Sequence, residues 1–209
     1  MRAPRALLWD VGNVIVGFDP RRLYEKLLEE PAARDRFLSH VCTLDWHIGH
    51  DSGVSFADNA APLIEKHPEH EALIRAWGHR FIEMVGPVVP ETESAIEALA
   101  ARGVAQFGLT NMPSEAWGDV QALSPAFRHF QDTIVSGDEK LIKPDPAIYA
   151  VVLERTGLQP QDLLFVDDSA ANIAAAAALG FHVHRFEDPS ALWPTLVSHG
   201  LLEAADREG

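Results

Sequence analysis

Five short apolar runs, separated by segments with helical spacing of apolar positions, set the pattern of this chain. The runs cover residues 6–9, 104–109, 133–135, 163–166 and 181–183. Unbroken apolar runs of this length are typical of parallel strands that are buried on both faces of a sheet. Because helical segments alternate with them, the pattern predicts an α/β fold with a doubly wound, Rossmann-like parallel sheet.

Proline and glycine mark the ends of two of the helical segments. Pro90 stands where a first helical residue is expected, and Gly103 stands where a C-terminal cap belongs. In the same way, Asp145 and Pro146 open a segment that Gly157 ends. Proline at the start and glycine just past the end are the usual punctuation of helices, so both segments are predicted to be helical.

The segment between the first strand and Pro90 is far longer than the roughly 2–6 residues of an ordinary connection between a strand and a helix. Its pattern is mostly helical. It therefore predicts an inserted helical cap at residues 18–87, with an α/β core built from residues 1–17 and 88–209.

Two stretches of this insert carry further predictions. Leu73, Trp77, Phe81 and Val85 recur at helical spacing, which predicts an apolar helix face. Residues 44–51 combine aromatic, imidazole and carboxylate groups in a predicted helix and turn. That stretch either packs within the cap or faces a substrate.

Charge and composition narrow the classes of partner. The formal net charge of −14 disfavours nucleic acid and anionic lipid surfaces. No stretch approaches the roughly 18 apolar residues of a membrane span, and the N-terminus lacks a secretory pattern, so we expect a cytoplasmic protein. A single cysteine, Cys42, excludes an intramolecular disulfide. The expected partner is a small molecule, and the chain is expected to be a monomer or homodimer.

Carboxylates follow two of the predicted strands. Asp10 follows the first strand, and Asp167 and Asp168 follow the fourth. The carboxyl ends of parallel strands form the crevice where α/β proteins bind ligands, and neighbouring strands would bring these acids together. Paired carboxylates suit a hard cation such as Mg²⁺.

Four segments in this order resemble the haloacid dehalogenase superfamily of phosphatases and dehalogenases, especially its small sugar-phosphate phosphatases. The resemblance covers essentially the whole chain, including the insert. The segments that carry it are Asp10 after a strand, Thr110 and Asn111 after another strand, Lys143 and Pro144 before a helix, and Asp167 and Asp168 followed by Asn172.

The resemblance implies a nucleophile and a metal. Asp10 would attack phosphorus to give an aspartyl phosphate, which divides one difficult displacement into two easier steps. Mg²⁺ would be bound by the carboxylates of Asp10 and Asp168 and by the backbone carbonyl of Gly12. Asp167 would support these ligands without binding the metal, or bind it occasionally, and would help to fix Lys143 and the metal.

The remaining motif residues would hold the phosphate. Thr110 would offer its hydroxyl, Asn111 its backbone N–H and Lys143 a positive charge, so that catalysis comes largely from positioning and electrostatics. Asn172 would hold the loop that carries the paired aspartates.

One position departs from the pattern of the family. Most phosphatases of this superfamily carry a second aspartate two residues after the nucleophile as general acid and base, and here that residue is Gly12. Loss of such a group typically lowers the rate by about 10²–10⁴-fold. Either the substrate has a good leaving group, such as a sugar 1-phosphate or an acyl phosphate, or the cap supplies the acid. Asp45, His47 and His50 are the candidates for that role and for substrate binding.

Two other functions fit the departure. A 2-haloacid dehalogenase also lacks the second aspartate and would use Asp10 as an alkylated nucleophile without metal. A protein that binds phosphorylated ligands without turnover would have kept the fold and lost the acid. The paired aspartates favour a magnesium-dependent phosphatase acting on a small phosphorylated metabolite over both.

Overall fold

The five predicted apolar runs form one parallel sheet in the computed structural model, which describes residues 3–208. In chain order the strands are β1 (Ala6–Trp9), β2 (Val16–Phe18), β3 (Val85–Val88), β4 (Ala105–Thr110), β5 (Phe130–Val135), β6 (Leu163–Asp167) and β7 (His182–Arg185). The sheet has the order β5-β4-β1-β6-β7, and its pairings are parallel. The predicted α/β fold class is therefore confirmed.

Eleven α-helices connect or cover these strands within the described residues. They are α1 (Arg21–Leu27), α2 (Pro31–His40), α3 (Leu44–Asp51), α4 (Phe56–Lys66), α5 (Glu71–His79), α6 (Pro90–Ala101), α7 (Ser114–Gln121), α8 (Ser136–Glu139), α9 (Pro146–Thr156), α10 (Ala170–Ala178) and α11 (Leu192–Ser198). Helices α1 to α5 form the insert between β2 and β3. No helix of residues 3–208 is long and apolar enough to cross a membrane.

The central strand β1 is buried along its whole length because β4 and β6 flank it. Trp9 at its end keeps its polar atom satisfied, since the indole Nε1 donates to Gln106 Oε1 at 3.0 Å. The Gln106 amide in turn donates to the Ile96 carbonyl at 2.9 Å. A buried polar group without such a partner would destabilise the core, so this chain of bonds fixes β1 against its neighbours.

The predicted helix boundaries at α6 and α9 are confirmed. Pro90 is the first residue of α6, and Gly103 follows that helix with φ of +71°. Asp145 caps α9 by accepting a hydrogen bond from the Ala147 backbone N–H at 2.8 Å, and Gly157 ends that helix with φ of +66°.

The prediction of one helical face from Leu73 to Val85 was wrong in its second half. Helix α5 ends at His79, Phe81 lies in a 3-10 turn, and Val85 begins β3. The chain leaves the helix because β3 pairs antiparallel with β2, with Phe18 opposite Val85. This two-stranded ribbon joins the insert to the sheet.

Candidate active site

The predicted site residues converge because β4, β1 and β6 are neighbours in the sheet. Asp10 directly follows β1, Thr110 is the buried last residue of β4, and Asp167 is the buried last residue of β6. All three therefore lie at the same edge of the sheet, where the carboxyl ends of parallel strands meet.

Lys143 is the centre of this cluster. Its ammonium Nζ lies 2.8 Å from Asp10 Oδ1 and 2.7 Å from Asp167 Oδ2, and it donates to the Leu109 carbonyl at 2.9 Å. The Asn111 side chain holds the lysine backbone: its amide donates to the Lys143 carbonyl at 3.0 Å, and its Oδ1 accepts from the Lys143 N–H at 2.8 Å. A buried cation is thus fixed between two buried carboxylates.

The carboxylate of Asp167 is fully occupied by protein donors. Besides Lys143, it accepts two bonds from the Asn172 amide, at 3.0 and 3.1 Å, and one from the Ser169 backbone N–H at 2.8 Å. Asn172 is thus placed to hold the aspartate loop. An oxygen that already has such partners is poorly available to a metal, so the geometry favours a supporting place for Asp167.

Asp168 is oriented by Asn13, a residue to which the sequence reasoning gave no role. The Asn13 amide donates to Asp168 Oδ2 at 3.2 Å, and its Oδ1 accepts from the Phe18 backbone N–H at 3.0 Å. Asn13 has φ of +58°, a left-handed conformation that asparagine tolerates better than most residues. An asparagine in the predicted turn after Asp10 and Gly12 was the sequence signal that could have identified Asn13.

The three aspartates form a group that fits a hard cation. One carboxylate oxygen from each of Asp10, Asp167 and Asp168 lies within 4.8 Å of the others. Carboxylate oxygens are ligands that Mg²⁺ prefers. Because Asp167 is occupied by its own donors, Asp10 and Asp168 are the residues that could hold the ion. Gly12 lines the same pocket, and a Cβ added there would have no atom within 4 Å.

Burial and charge act in opposite directions on this cluster. Burial raises the pKa of Asp10 to about 7, although the Lys143 ammonium acts to lower it. Burial also acts to lower the pKa of Lys143, but Asp10 and Asp167 outweigh it and raise that pKa, so the ammonium stays charged. A further cation facing Asp10 would favour its ionised form, which a nucleophile requires.

The insert closes a pocket of about 210 Å³ over these groups. From the sheet edge and its loops, the lining includes Asp10, Gly12, Asn13, Asn111, Met112, Pro113, Lys143, Asp168 and Asn172. From the ribbon and the insert it includes Val16, Gly17, Phe18, His47, Asp51, Phe81 and Val85. The rings of Phe18 and Phe81 stack at 5.7 Å between centroids, so much of this wall is apolar.

Of the three candidates predicted on the insert, the structure brings only His47 to the pocket. Asp45 is exposed in the first turn of α3. His50 is fully buried against Trp46, and its Nε2 lies 3.2 Å from the Asn59 amide. Asp45 and His50 do not line this pocket: Asp45 lies two positions before His47, on another side of the helix, and the ring of His50 packs against Trp46.

The functional candidate that the sequence reasoning missed is Asp51. It lies four residues after His47, and a separation of four in a helix places two residues on the same face. Its Oδ1 lies 3.5 Å from His47 Nε2 and has no hydrogen-bond partner among residues 3–208. The spacing of four was the signal that could have found it.

Burial shifts the pKa values of the two members of this pair in opposite directions. Burial raises the pKa of Asp51 to about 7, and Lys143 acts against this rise. Burial lowers the pKa of His47 to about 3, so its ring is neutral. The Trp77 indole N–H donates to His47 Nδ1 at 3.2 Å, which leaves the ring hydrogen on Nε2, facing Asp51.

The backbone at Asp51 is tied to the core of the site. Its carbonyl accepts a hydrogen bond from Ser136 Oγ at 2.6 Å, and the same Oγ accepts from the Met112 N–H at 2.9 Å. Two residues later the chain passes so close to the core that a Cβ on Gly53 would lie 2.6 Å from the Gly137 carbonyl oxygen. These contacts set the depth of Asp51 in the pocket.

We expect Gly53→Ala to weaken the contacts that hold the Asp51 backbone against Ser136 and Gly137. Gly53 has φ of +91°, so alanine adds backbone strain as well as the contact with Gly137. Gly103→Ala is the matched control, because Gly103 has φ of +71° but open space around its Cβ position. In denaturant titrations, the free energy of unfolding should fall by about 1–3 kcal/mol more for G53A than for G103A. Equal losses would show that the close approach is unimportant.

Comparison with known proteins assigns the family. The family model for haloacid dehalogenase-like hydrolases matches residues 4–180. The chain therefore belongs to the haloacid dehalogenase-like hydrolase family, and the resemblance inferred from its motifs is confirmed.

Relatives of two activities share part of the chain. The phosphoglycolate phosphatase of Escherichia coli is 33% identical over 91 residues, a match that covers 44% of this chain and 36% of that protein. The (S)-2-haloacid dehalogenase 4A of Burkholderia cepacia is 25% identical over 128 residues, covering 53% of this chain and 55% of the relative. The chain thus spans about half or less of each of these relatives.

Solved structures share the fold over nearly the whole chain. A HAD family enzyme from Bacteroides thetaiotaomicron, in complex with magnesium and inorganic phosphate, superposes with a TM-score of 0.69 at 24% identity. The match covers 91% of this chain and 99% of that one. At this identity the likeness establishes the shared architecture.

Proposed function

We propose that this hydrolase is a magnesium-dependent phosphatase that acts on a small phosphorylated metabolite through an aspartyl phosphate on Asp10. The observation that carries the proposal is the cluster in which Lys143 joins Asp10 and Asp167 while Asp168 adds a third carboxylate. This arrangement supplies a nucleophile, a fixed positive charge and a cation site at one end of one pocket.

Each side chain has a task in this reaction. Asp10 attacks phosphorus, and its accepted hydrogen bond from the Val11 N–H at 2.7 Å orients the carboxylate. Lys143 offsets the charge of the nucleophile and of the phosphoryl group. Thr110 and the Asn111 backbone N–H hold phosphoryl oxygens, while the Asn111 side chain keeps Lys143 in place.

The carboxylates of Asp10 and Asp168, with the Gly12 carbonyl, would hold the metal, and Asp167 with Asn172 would support that set. When bound, Mg²⁺ supplies positive charge that neutralises the transferring phosphoryl group. We propose that residues 18–87 act as the cap that closes over the substrate, with residues 1–17 and 88–209 as the core.

The charge of the pocket favours a phosphatase over a 2-haloacid dehalogenase. Among the described residues that line it, Lys143 is the one lysine or arginine, and its ammonium already faces Asp10, Asp167 and the Leu109 carbonyl. Without a metal, the carboxylate of a haloacid would find no uncommitted cation there, whereas a phosphate would be neutralised jointly by Lys143 and a bound Mg²⁺. Three clustered aspartates can bind a metal ion, whereas a reaction without metal gives no reason to cluster them.

We expect turnover of p-nitrophenyl phosphate that depends on Mg²⁺ and is lost when a chelator removes the metal. This aryl leaving group needs little protonation, so Gly12 cannot mask the reaction. Turnover in the presence of the chelator would contradict the metal site. Thermal protection by phosphorylated ligands without their hydrolysis would instead favour a binding protein, and halide release from 2-chloropropionate would favour the dehalogenase.

The leaving group of the natural substrate is a separate question. If the missing aspartate is offset by an activated substrate, sugar 1-phosphates should be hydrolysed faster than sugar 6-phosphates. Equal rates would show that an activated leaving group does not offset the missing aspartate, and would favour an acid on the insert. A cytoplasmic location and a monomeric or homodimeric state stay predictions.

A further inference from the structure

We propose that Asp51, on the insert, is the general acid and base of this enzyme, an inference that rests on the proposed phosphatase function. It would replace the aspartate that Gly12 lacks. Asp51 lines the same pocket as Asp10 but belongs to the insert, whereas Asp10 belongs to the sheet edge. The leaving group of a phosphate attacked by Asp10 would point away from that nucleophile.

The burial and the backbone contacts of Asp51 indicate that it belongs to a binding site. The residue is 9% exposed, and its Oδ1 is buried without a hydrogen-bond partner among residues 3–208. An unsatisfied buried carboxyl oxygen destabilises a fold, so its presence in a pocket indicates a ligand group that completes it. The bond from Ser136 to the Asp51 carbonyl ties this position to Met112, two residues after Thr110.

The groups that face Asp51 favour its protonated form near neutral pH. From its own helix His47 presents a neutral ring, so it adds no positive charge that would hold the carboxyl ionised. From the sheet edge Lys143 faces it, but that ammonium is shared by Asp10 and Asp167. Burial prevails, and the pKa of Asp51 rises to about 7. A general acid works best with a pKa near the operating pH.

Asp51 accounts for both proton transfers of the reaction. As the bond from Asp10 to phosphorus forms and the ester P–O bond breaks, Asp51 gives its proton to the departing oxygen, which leaves as an alcohol. The Asp51 carboxylate then takes a proton from water as that water attacks the phosphorus of the aspartyl phosphate. The bond to Asp10 breaks, phosphate leaves, and Asp51 is protonated again.

His47 is the titratable group that lies beside Asp51 on the same helix. Its Nδ1 accepts from Trp77, and its Nε2 hydrogen faces Asp51 Oδ1 at 3.5 Å. The imidazole thus lies beside the carboxyl group without hydrogen bonding to it, and the low pKa of His47, about 3, leaves it without an acidic proton to donate at neutral pH.

The test compares two leaving groups in wild type and Asp51→Asn, with Mg²⁺ present. For n-propyl phosphate, whose alkoxide needs a proton, kcat/KM should fall by about 10²–10⁴-fold, whereas for p-nitrophenyl phosphate the loss should stay below about tenfold. Asp51→Glu should restore part of the propyl phosphate activity. Asp45→Asn, at an exposed position of the same helix, should change neither rate.

The same variant separates this role from a structural one through pH. In wild type, kcat/KM for propyl phosphate should fall as pH rises above about 7, because Asp51 loses the proton it donates. Ionisation of Asp10 acts in the opposite sense, and Lys143 stays charged. Asp51→Asn should lack this alkaline decline.

Equal losses for the two substrates in Asp51→Asn, or no loss for either, would overturn the assignment, as would an unchanged alkaline decline. If wild type hydrolyses neither ester, the proposed phosphatase function fails and the assignment fails with it. Hydrolysis of p-nitrophenyl phosphate by wild type distinguishes the two failures.

Discussion

Asp10→Asn is expected to lower kcat for p-nitrophenyl phosphate by roughly 10⁴–10⁶-fold, the scale seen when a covalent nucleophile is removed. Asparagine keeps the shape of the side chain and an oxygen that can accept from Val11 and Lys143. It also removes a carboxylate whose ionisation burial opposes. The fold should therefore survive while the chemistry is lost.

The control for this variant is Asp45→Asn, which removes an exposed carboxylate and should retain full activity. Circular dichroism and thermal unfolding would show that Asp10→Asn is folded, and mass spectrometry would exclude deamidation back to aspartate. A folded Asp10→Asn protein with more than about a tenth of wild-type kcat would exclude Asp10 as the nucleophile.

Lys143→Met should reduce both stability and activity. It leaves Asp10 and Asp167 buried without their cation, and breaking such a buried pair typically destabilises by about 3–5 kcal/mol. Loss of a cation that stabilises the transferring phosphoryl group should lower kcat by roughly 10³–10⁵-fold. Denaturant titration and steady-state kinetics measure the two effects.

The stability loss should also depend on pH. Without the ammonium, the pKa of the buried carboxylates rises, and taking up a proton relieves the uncompensated charge. The difference from wild type should therefore be larger at about pH 8 than at about pH 5. Lys66→Met, an exposed lysine on α4, should leave the free energy of unfolding within about 0.5 kcal/mol of wild type. Equal losses in the two variants would contradict the role of Lys143 as the buried cation between Asp10 and Asp167.

The sheet and its site could be predicted because they depend on short-range patterns and one topological rule. Apolar runs located the strands, and the carboxyl ends of neighbouring parallel strands brought Asp10 and Asp167 to one place. Lys143 was found through its motif. Its hydrogen bonds to the Leu109 carbonyl and the Asn111 side chain depend on three-dimensional packing and needed the structure.

The insert was harder to predict because its polar residues carry no motif. The sequence placed Asp45, His47 and His50 in one stretch without deciding which side of the helix faces the site. The faces depend on how α3 docks, and that docking is fixed by long-range contacts such as the bond from Ser136 to the Asp51 carbonyl. For the same reason Val85, which pairs with Phe18 in the antiparallel ribbon, was predicted to lie on a helix face.

Trapping the aspartyl phosphate would show whether phosphoryl transfer passes through Asp10. Wild-type protein turning over radiolabelled p-nitrophenyl phosphate with Mg²⁺ would be quenched in acid, which preserves acyl phosphates, and digested for peptide mapping. If Asp10 is the nucleophile, the label will lie on the peptide that contains Asp10, will be released by hydroxylamine, and will be absent from Asp10→Asn. Label on another residue, or turnover with no acid-stable adduct, would contradict it.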